Sequence, residues 1–245
     1  MPLHFLAEHA SDARPGAAVV LTGTEAHHAA AVRRVRVGEE VSVGDGRGAW
    51  LTGECEKVSS REVVVRIASR TDTAPPCPRI VLVQALAKGD RDELAIQAAT
   101  ELGVDEIIPW QAARSVSRWD AVKAEKGRAR WSSIVREAAK QAHRPWTPEV
   151  APIATTASLA ARAVASRVVV LEPSAGVPLT DLDLDGSDAR DVLLVVGPEG
   201  GIAPEELAAL EQAGGRLARL GDTVLRTSTA GPAALAVVSA ALHRW

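Results

Sequence analysis

Two stretches hold the residue types that can handle a ligand: Gly197-Pro198-Glu199-Gly200-Gly201-Ile202 and, further on, Leu220-Gly221-Asp222-Thr223-Val224-Leu225-Arg226. Glycines admit positive φ and remove Cβ atoms, so such turns present bare main-chain N–H and C=O groups. Neither the Gly-Lys-Ser/Thr ending of a P-loop nor Gly-x-Gly-x-x-Gly is present, so the common nucleotide fingerprints are excluded. Residues 172–212 hold ten Asp or Glu and one Arg, Arg190. That charge disfavours a phosphate and suits a neutral or cationic ligand. Glu199 is the acidic group of the first loop, either a base or a carboxylate that braces the turn through backbone N–H bonds, the brace being the better fit. Arg226 brings a permanently charged, forked donor beside the second turn.

The flanking elements explain how these residues are positioned. Val192 to Val196 is an unbroken apolar run, as expected of a strand buried on both faces of a parallel sheet. Pro204 suits the first turn of a helix, with Glu205 and Glu206 against its positive end. Strand, glycine loop and helix put a ligand at the carboxyl edge of an α/β sheet. Upstream, residues 79–245 read as alternating strands and helices: strands at 80–86, 106–110, 167–171, 192–196 and 216–220, helices to Leu102, over 121–143, 159–165, 204–213 and 229–243. Asp90-x-x-Glu93 predicts a capping box for the helix that ends before Gly103. A proline-rich linker covers 71–78, with Pro75, Pro76 and Pro78. Residues 1–70 read as mostly β, with strands at 18–21, 40–43, 50–57 and 62–68, a helix from Glu25 to Arg34 capped by Thr24, and Gly44-x-Gly46-x-Gly48 as a hairpin turn.

With 245 residues and 47% hydrophobic content the chain can bury a large core. The sequence contains no run long and apolar enough for a membrane span, and the N-terminus lacks the basic-then-apolar pattern of a signal peptide, so a cytoplasmic protein is expected. Two cysteines without Cys-x-x-Cys spacing, and adjacent His27 and His28 that point in different directions on a helix, give no basis for a metal site. The net charge of −3 conceals segregation: residues 112–146 carry nine Lys or Arg against Asp120, Glu125 and Glu137. Arg128, Arg136, Lys140 and Arg144 are therefore candidate RNA contacts, against the alternative of a solvated helix face. Arg33, Arg34 and Arg36 divide evenly between the same two readings. Trp131, spaced with Ile134, Val135 and Ala138, belongs to an apolar helix face.

Gly197-Pro198-Glu199-Gly200-Gly201 followed by Leu220-Gly221-x-x-Val224-Leu225-Arg226-Thr227-x-Thr229-Ala230 resembles the SPOUT class of S-adenosylmethionine-dependent RNA methyltransferases. Within it the chain is similar to the ribosomal RNA small subunit methyltransferase E family, the 16S rRNA uracil-N3 methyltransferases. Arg91 to Gln97, Thr100 to Val104 and the 131–141 helix share the likeness, so it covers nearly the whole chain. The resemblance implies an α/β fold, a trefoil-knotted, mostly parallel sheet with helices on both faces, preceded by a small PUA-like β-barrel. It implies that S-adenosyl-L-methionine is held by Leu171, Glu172, Pro173, Gly197, Pro198, Gly200, Gly201, Ile202, Leu220, Gly221, Val224, Leu225, Ser228 and Ala230; Arg226, beside the cofactor turn, is then the candidate catalytic residue for stabilising the uracil anion, and Glu199 the acidic group of the site, a brace before a base. It adds Arg91 to the RNA contacts, 16S rRNA in the small subunit as partner, and a homodimer through helices next to the knot, to which Leu235, Val237, Val238 and Leu242 are suited. The chain departs from the family pattern at Ser228, where Glu is common, and at Thr223, where Arg is. A ribose 2′-O-methyltransferase and a silent RNA-binding assembly factor are the alternatives.

Overall fold

The computed structural model describes residues 2–245. Contacts divide it into two units: the chain up to Pro75 together with Ala139–Thr147, and Pro76–Ala138 together with Pro148–Trp245. The sequence reading assigns 139–147 to the second unit and begins the linker at Thr71; instead that short segment packs with the first unit, and the last strand before the prolines runs to Asp72.

The first unit is a five-stranded sheet of β1 (Leu3–Leu6), β2 (Ala18–Thr22), β3 (Glu40–Gly44), β4 (Ala49–Val58) and β5 (Glu62–Asp72), in the order β1-β3-β4-β5-β2. The pairs are antiparallel except β1 with β3. Alternating residues such as Leu51, Cys55, Val63, Val65 and Ile67 close its core with Phe5 and Leu21. The expected 25–34 helix is shorter: α1 covers Gly23–His27, a π-helical turn covers His28–Val32, and no side chain caps its start. The Gly44 to Gly48 turn is a β3–β4 hairpin, and its glycines have a packing reason. A Cβ on Gly46 would lie 2.7 Å from Thr147 Oγ1, and one on Gly48 would lie 2.5 Å from Thr73 O and 3.0 Å from the Trp146 ring. Nearby, His4 stacks on Trp50 with ring centroids 4.1 Å apart. Burial first, then the charges of His143 and Lys140, lower its pKa to about 3, so it packs as a neutral ring.

The second unit is a six-stranded sheet of β6 (Ile80–Ala85), β7 (Glu106–Trp110), β8 (Glu149–Val150), β9 (Ser166–Leu171), β10 (Asp191–Val196) and β11 (Arg216–Ala218), ordered β11-β9-β10-β6-β7-β8 with every pair parallel. Strand residues alternate between two cores, Ile80, Leu82, Leu194 and Val196 on one face and Val81, Val83, Leu193 and Val195 on the other. Helices α2 (Arg91–Glu101), α3 (Ala121–Gln141) and α6 (Thr227–Ala241) contribute to the first core, α4 (Thr156–Arg162) and α5 (Pro204–Gln212) to the second. Gly231 lets α6 lie close on β6, since a Cβ there would meet Leu82 Cδ1 at 3.0 Å. Trp131 is buried in the first core, as its spacing predicts. Leu235 and Val238 are also fully buried within this unit, Leu242 nearly so and Val237 partly. Among the described residues no helix is long and apolar enough to cross a membrane.

Candidate active site

β6 lies between β7 and β10, the point where strand order reverses, and a crevice at the carboxyl ends of such strands is the usual ligand position in open α/β sheets. Here the loops leaving β9, β10 and β11, three neighbouring strands, come together. They line a cavity of about 380 Å³ with Leu171, Glu172 and Pro173, with Gly197, Pro198, Glu199, Gly201 and Ile202, and with Leu220, Val224, Leu225, Arg226 and Ala230. Thirteen of the residues singled out around these loops thus share one cavity, and Arg91, assigned by resemblance to RNA, lines it too. Three do not. Gly200 turns its vacant Cβ direction toward Arg114, 3.4 Å from that Cβ, while its carbonyl accepts Arg114 Nη1 at 3.2 Å. Gly221 supplies a φ of +68° in an exposed turn, and Ser228 lies on the first turn of α6 outside the lining.

The glycines are needed at different points. Gly201 adopts a φ of +72°, and a Cβ on Gly197 would stand 2.6 Å from Ile202 Cγ1. The loop is tied down on both sides. Glu206, buried on α5, accepts from the Ala203 N–H at 3.3 Å, the Ala113 N–H at 3.0 Å and the Thr156 hydroxyl at 2.7 Å. Thr227 donates to the Gly197 carbonyl at 2.9 Å and accepts from Gln84 Nε2 at 2.9 Å. Val196, Thr223 and Thr227 also line the cavity, where the sequence reading gives them no ligand contact. Gln84 is the polar exception in an otherwise apolar buried strand, a signal that asks for a partner.

Glu199 accepts from the Lys88 N–H at 3.1 Å and pairs with Arg91 at 2.9 Å. Burial pushes its carboxyl up, but hydrogen bonds from its own N–H, from Lys88 and from Arg91 outweigh that and hold it below the ordinary value. It is a bracing anion between the β6 and β10 loops. Arg226, the N-cap residue of α6, is exposed, and its guanidinium makes no ion pair among the described residues, so a Glu199–Arg226 pair does not form. The arrangement offers an apolar bed, two carboxylates and an uncommitted guanidinium around one cavity.

The RNA candidates separate. Lys140 is 5% exposed, with Nζ 2.9 Å from Glu25 Oε1 and 3.2 Å from His28 Nδ1, so it is a core ion pair of the first unit and not a surface contact. Arg128 is exposed and gives its Nε to the Val150 carbonyl at 2.8 Å. Arg136 and Arg144 are half-buried in the second and first units respectively. Arg33, Arg34 and Arg36 are exposed.

A family model described as an RNA methyltransferase domain matches residues 73–239, and one described as an RNA methyltransferase PUA domain matches residues 21–68. Fold and sequence thus define an RNA methyltransferase with an N-terminal PUA domain. Ribosomal RNA small subunit methyltransferase E of Mycobacterium bovis is 43% identical over 235 residues, 94% of this chain and 89% of that one. The solved enzyme of that name from Neisseria gonorrhoeae, bound to S-adenosyl methionine, superposes with a TM-score of 0.88 at 28% identity, covering 99% of this chain and 98% of its own. A Legionella pneumophila protein solved with the cofactor SAM gives 0.88 at 30% identity, covering 98% of each chain. The chain belongs to the ribosomal RNA small subunit methyltransferase E family.

Proposed function

We propose that this protein transfers the methyl group of S-adenosylmethionine to N3 of a uridine in 16S ribosomal RNA of the small subunit, working in the cytoplasm. The observation that carries the reading is the convergence of three strand-end loops on an apolar cavity edged by Glu172 and Glu199, with the uncommitted Arg226 beside it. The cavity volume of about 380 Å³ lies in the range of small-molecule sites. Its residues fit the cofactor: Leu171, Ile202, Leu220 and Leu225 would bed an adenine, bare backbone at Gly197 and Gly201 would meet it closely, and the carboxylates suit a cationic molecule. The Neisseria and Legionella relatives, solved with this molecule bound, support the assignment.

S-adenosylmethionine supplies an electrophilic methyl group on a sulfonium. The chain has to supply a uracil whose N3 has lost its proton, because protonated N3 is a poor nucleophile. Arg226 suits that task, donating to a ring oxygen and stabilising the anion. Glu199 is a weak base, held low and engaged by two donors. Ser228, off the cavity, cannot substitute for one. We assign proton loss to water, favoured by the guanidinium. The trefoil threading of the three loops and a homodimer remain part of the proposal through the family resemblance, and light scattering tests the dimer. For the reaction, purified protein is incubated with S-adenosylmethionine and small subunits lacking the modification, and the rRNA is digested to nucleosides for mass spectrometry. A new 3-methyluridine is expected; a ribose-methylated nucleoside would assign the 2′-O reaction instead, and no methylated product would leave an RNA-binding factor.

A further inference from the structure

We infer that the methyltransferase unit carries a second ligand site, a pocket for a nucleobase of single-stranded RNA neighbouring the methylated uridine. The inference rests on the reading above that the substrate is RNA. A cavity of about 370 Å³ is lined by Lys88, Asp92, Ser117, Trp119, Arg130 and Trp131, among others. The turn from Ala87 into α2 separates it from the cofactor cavity: Arg91 lines one, Lys88 and Asp92 line the other, and the Lys88 N–H holds Glu199 at 3.1 Å. A nucleotide strand that presents its uridine to the methyl group at the first cavity has the second within reach across this turn.

The chemistry of the lining selects a base. Trp119 is a fixed wall: its ring lies against α3 at Gly127, where a Cβ would be 2.5 Å away, and stands edge-on to the buried Trp131 with centroids 5.5 Å apart. Its backbone N–H donates to Gln111 Oε1 at 3.0 Å. An aromatic already immobilised loses little freedom when a base stacks on it. Asp92 is buried and accepts from the Ala87 N–H at 3.2 Å and the Glu93 N–H at 2.9 Å, leaving acceptor sites for the amino or imino hydrogens of a base edge. Arg130 is engaged by both oxygens of Glu93. The interior therefore carries acceptors and the exposed Arg130 at its edge is already paired, a poor place for a phosphate. Lys88 is exposed and no ion pair of its ammonium is found among the described residues, so the phosphate belongs with it at the rim. Aromatic stacking combined with base-edge hydrogen bonding is how single-stranded RNA is recognised.

Two variants test this. Ser117→Leu fills the cavity, and Lys88→Ala removes the rim charge while keeping the backbone N–H that holds Glu199. The readouts are KM for methylation of small subunits lacking the modification, S-adenosylmethionine affinity by calorimetry, and quenching of tryptophan fluorescence by a short oligouridylate, compared with Trp119→Phe. Ser117→Leu is expected to raise KM for RNA about tenfold, the scale of removing one stacked base, and Lys88→Ala to raise it about threefold or more at low salt through one lost phosphate contact, both with cofactor affinity within about twofold of wild type. Quenching should shrink in Trp119→Phe and in Ser117→Leu. Unchanged KM in both cofactor-binding variants would overturn the pocket. A wild-type protein that shows Trp119-dependent quenching but methylates nothing would instead sink the functional reading and leave the pocket standing.

Discussion

Arg226 leaves the Leu225 turn as the N-cap of α6 with its side chain uncommitted, whereas Arg91 is spent on Glu199. Two arginines at one cavity therefore have different work. Arg226→Lys keeps the charge and loses the fork, so single-turnover methylation should fall by about 10²–10³ while cofactor affinity holds, the cost of one preorganised donor. Parallel losses of affinity and rate would make Arg226 structural. Glu199 gives a pH prediction with a defined sign. Its carboxyl lies below the ordinary value of 4.5, so the bridge it makes is present above that value and is lost as pH falls through the lower, folded one. Calorimetric cofactor affinity should thus be flat from neutral pH down to 4.5 and drop below it, and Glu199→Gln should remove that acid limb. A decline already complete near pH 6 would point to another group. The glycine and arginine positions were legible because their spacing is distinctive. Gln84 was not, because its meaning depends on Thr227, 143 residues away.

Among the elements, the central strands of the second unit were legible because a run such as Val192 to Val196 is apolar on both faces, as in a doubly covered parallel sheet, whereas β1 and β8 were not placed from the sequence. Local end signals were less dependable. Asp90-x-x-Glu93 has the spacing of a capping box, yet Asp90 makes no cap bond. Glu93 is drawn to Arg130 on α3, and Asp92 takes the Ala87 N–H instead, so tertiary partners outcompete the local motif. The loop glycines show the same dependence on neighbours, since Gly197 and Gly200 look equivalent in sequence. Gly197→Ala must displace Ile202 from 2.6 Å and should weaken cofactor binding at least about tenfold, or 1.4 kcal/mol. Gly200→Ala meets only ordinary packing against Arg114 at 3.4 Å and should leave affinity within about twofold. Titration calorimetry on both proteins checks the pair; equal losses would mean that the cavity is not the cofactor site.

For the whole molecule, a linear reading divides the chain at the prolines, but residues 139–147 return to the first unit. Nothing local marks that return; it is visible only in hydrogen bonds such as Gly48 N–H to Pro145 O at 2.9 Å and Trp146 Nε1 to Thr73 O at 2.9 Å. The basic cluster of the sequence is thereby divided, and Lys140 becomes a buried partner of Glu25. Lys140→Ala should destabilise the protein by about 3–5 kcal/mol, because it breaks the buried ion pair with Glu25. Combined Arg33→Ala, Arg34→Ala and Arg36→Ala should leave stability nearly unchanged and flatten the salt dependence of RNA binding, by about 0.7 in log–log slope for each phosphate that is no longer neutralised. Denaturant unfolding and salt titrations separate the two effects; an unchanged slope would make the arginines a solvated face. The central claim, methylation of uridine N3 in 16S rRNA, is tested most directly by mass-spectrometric nucleoside analysis of 16S rRNA from a strain lacking this protein. The account predicts loss of 3-methyluridine, restored by the wild-type chain and not by Arg226→Lys, and undiminished 3-methyluridine in the deletion strain would contradict it.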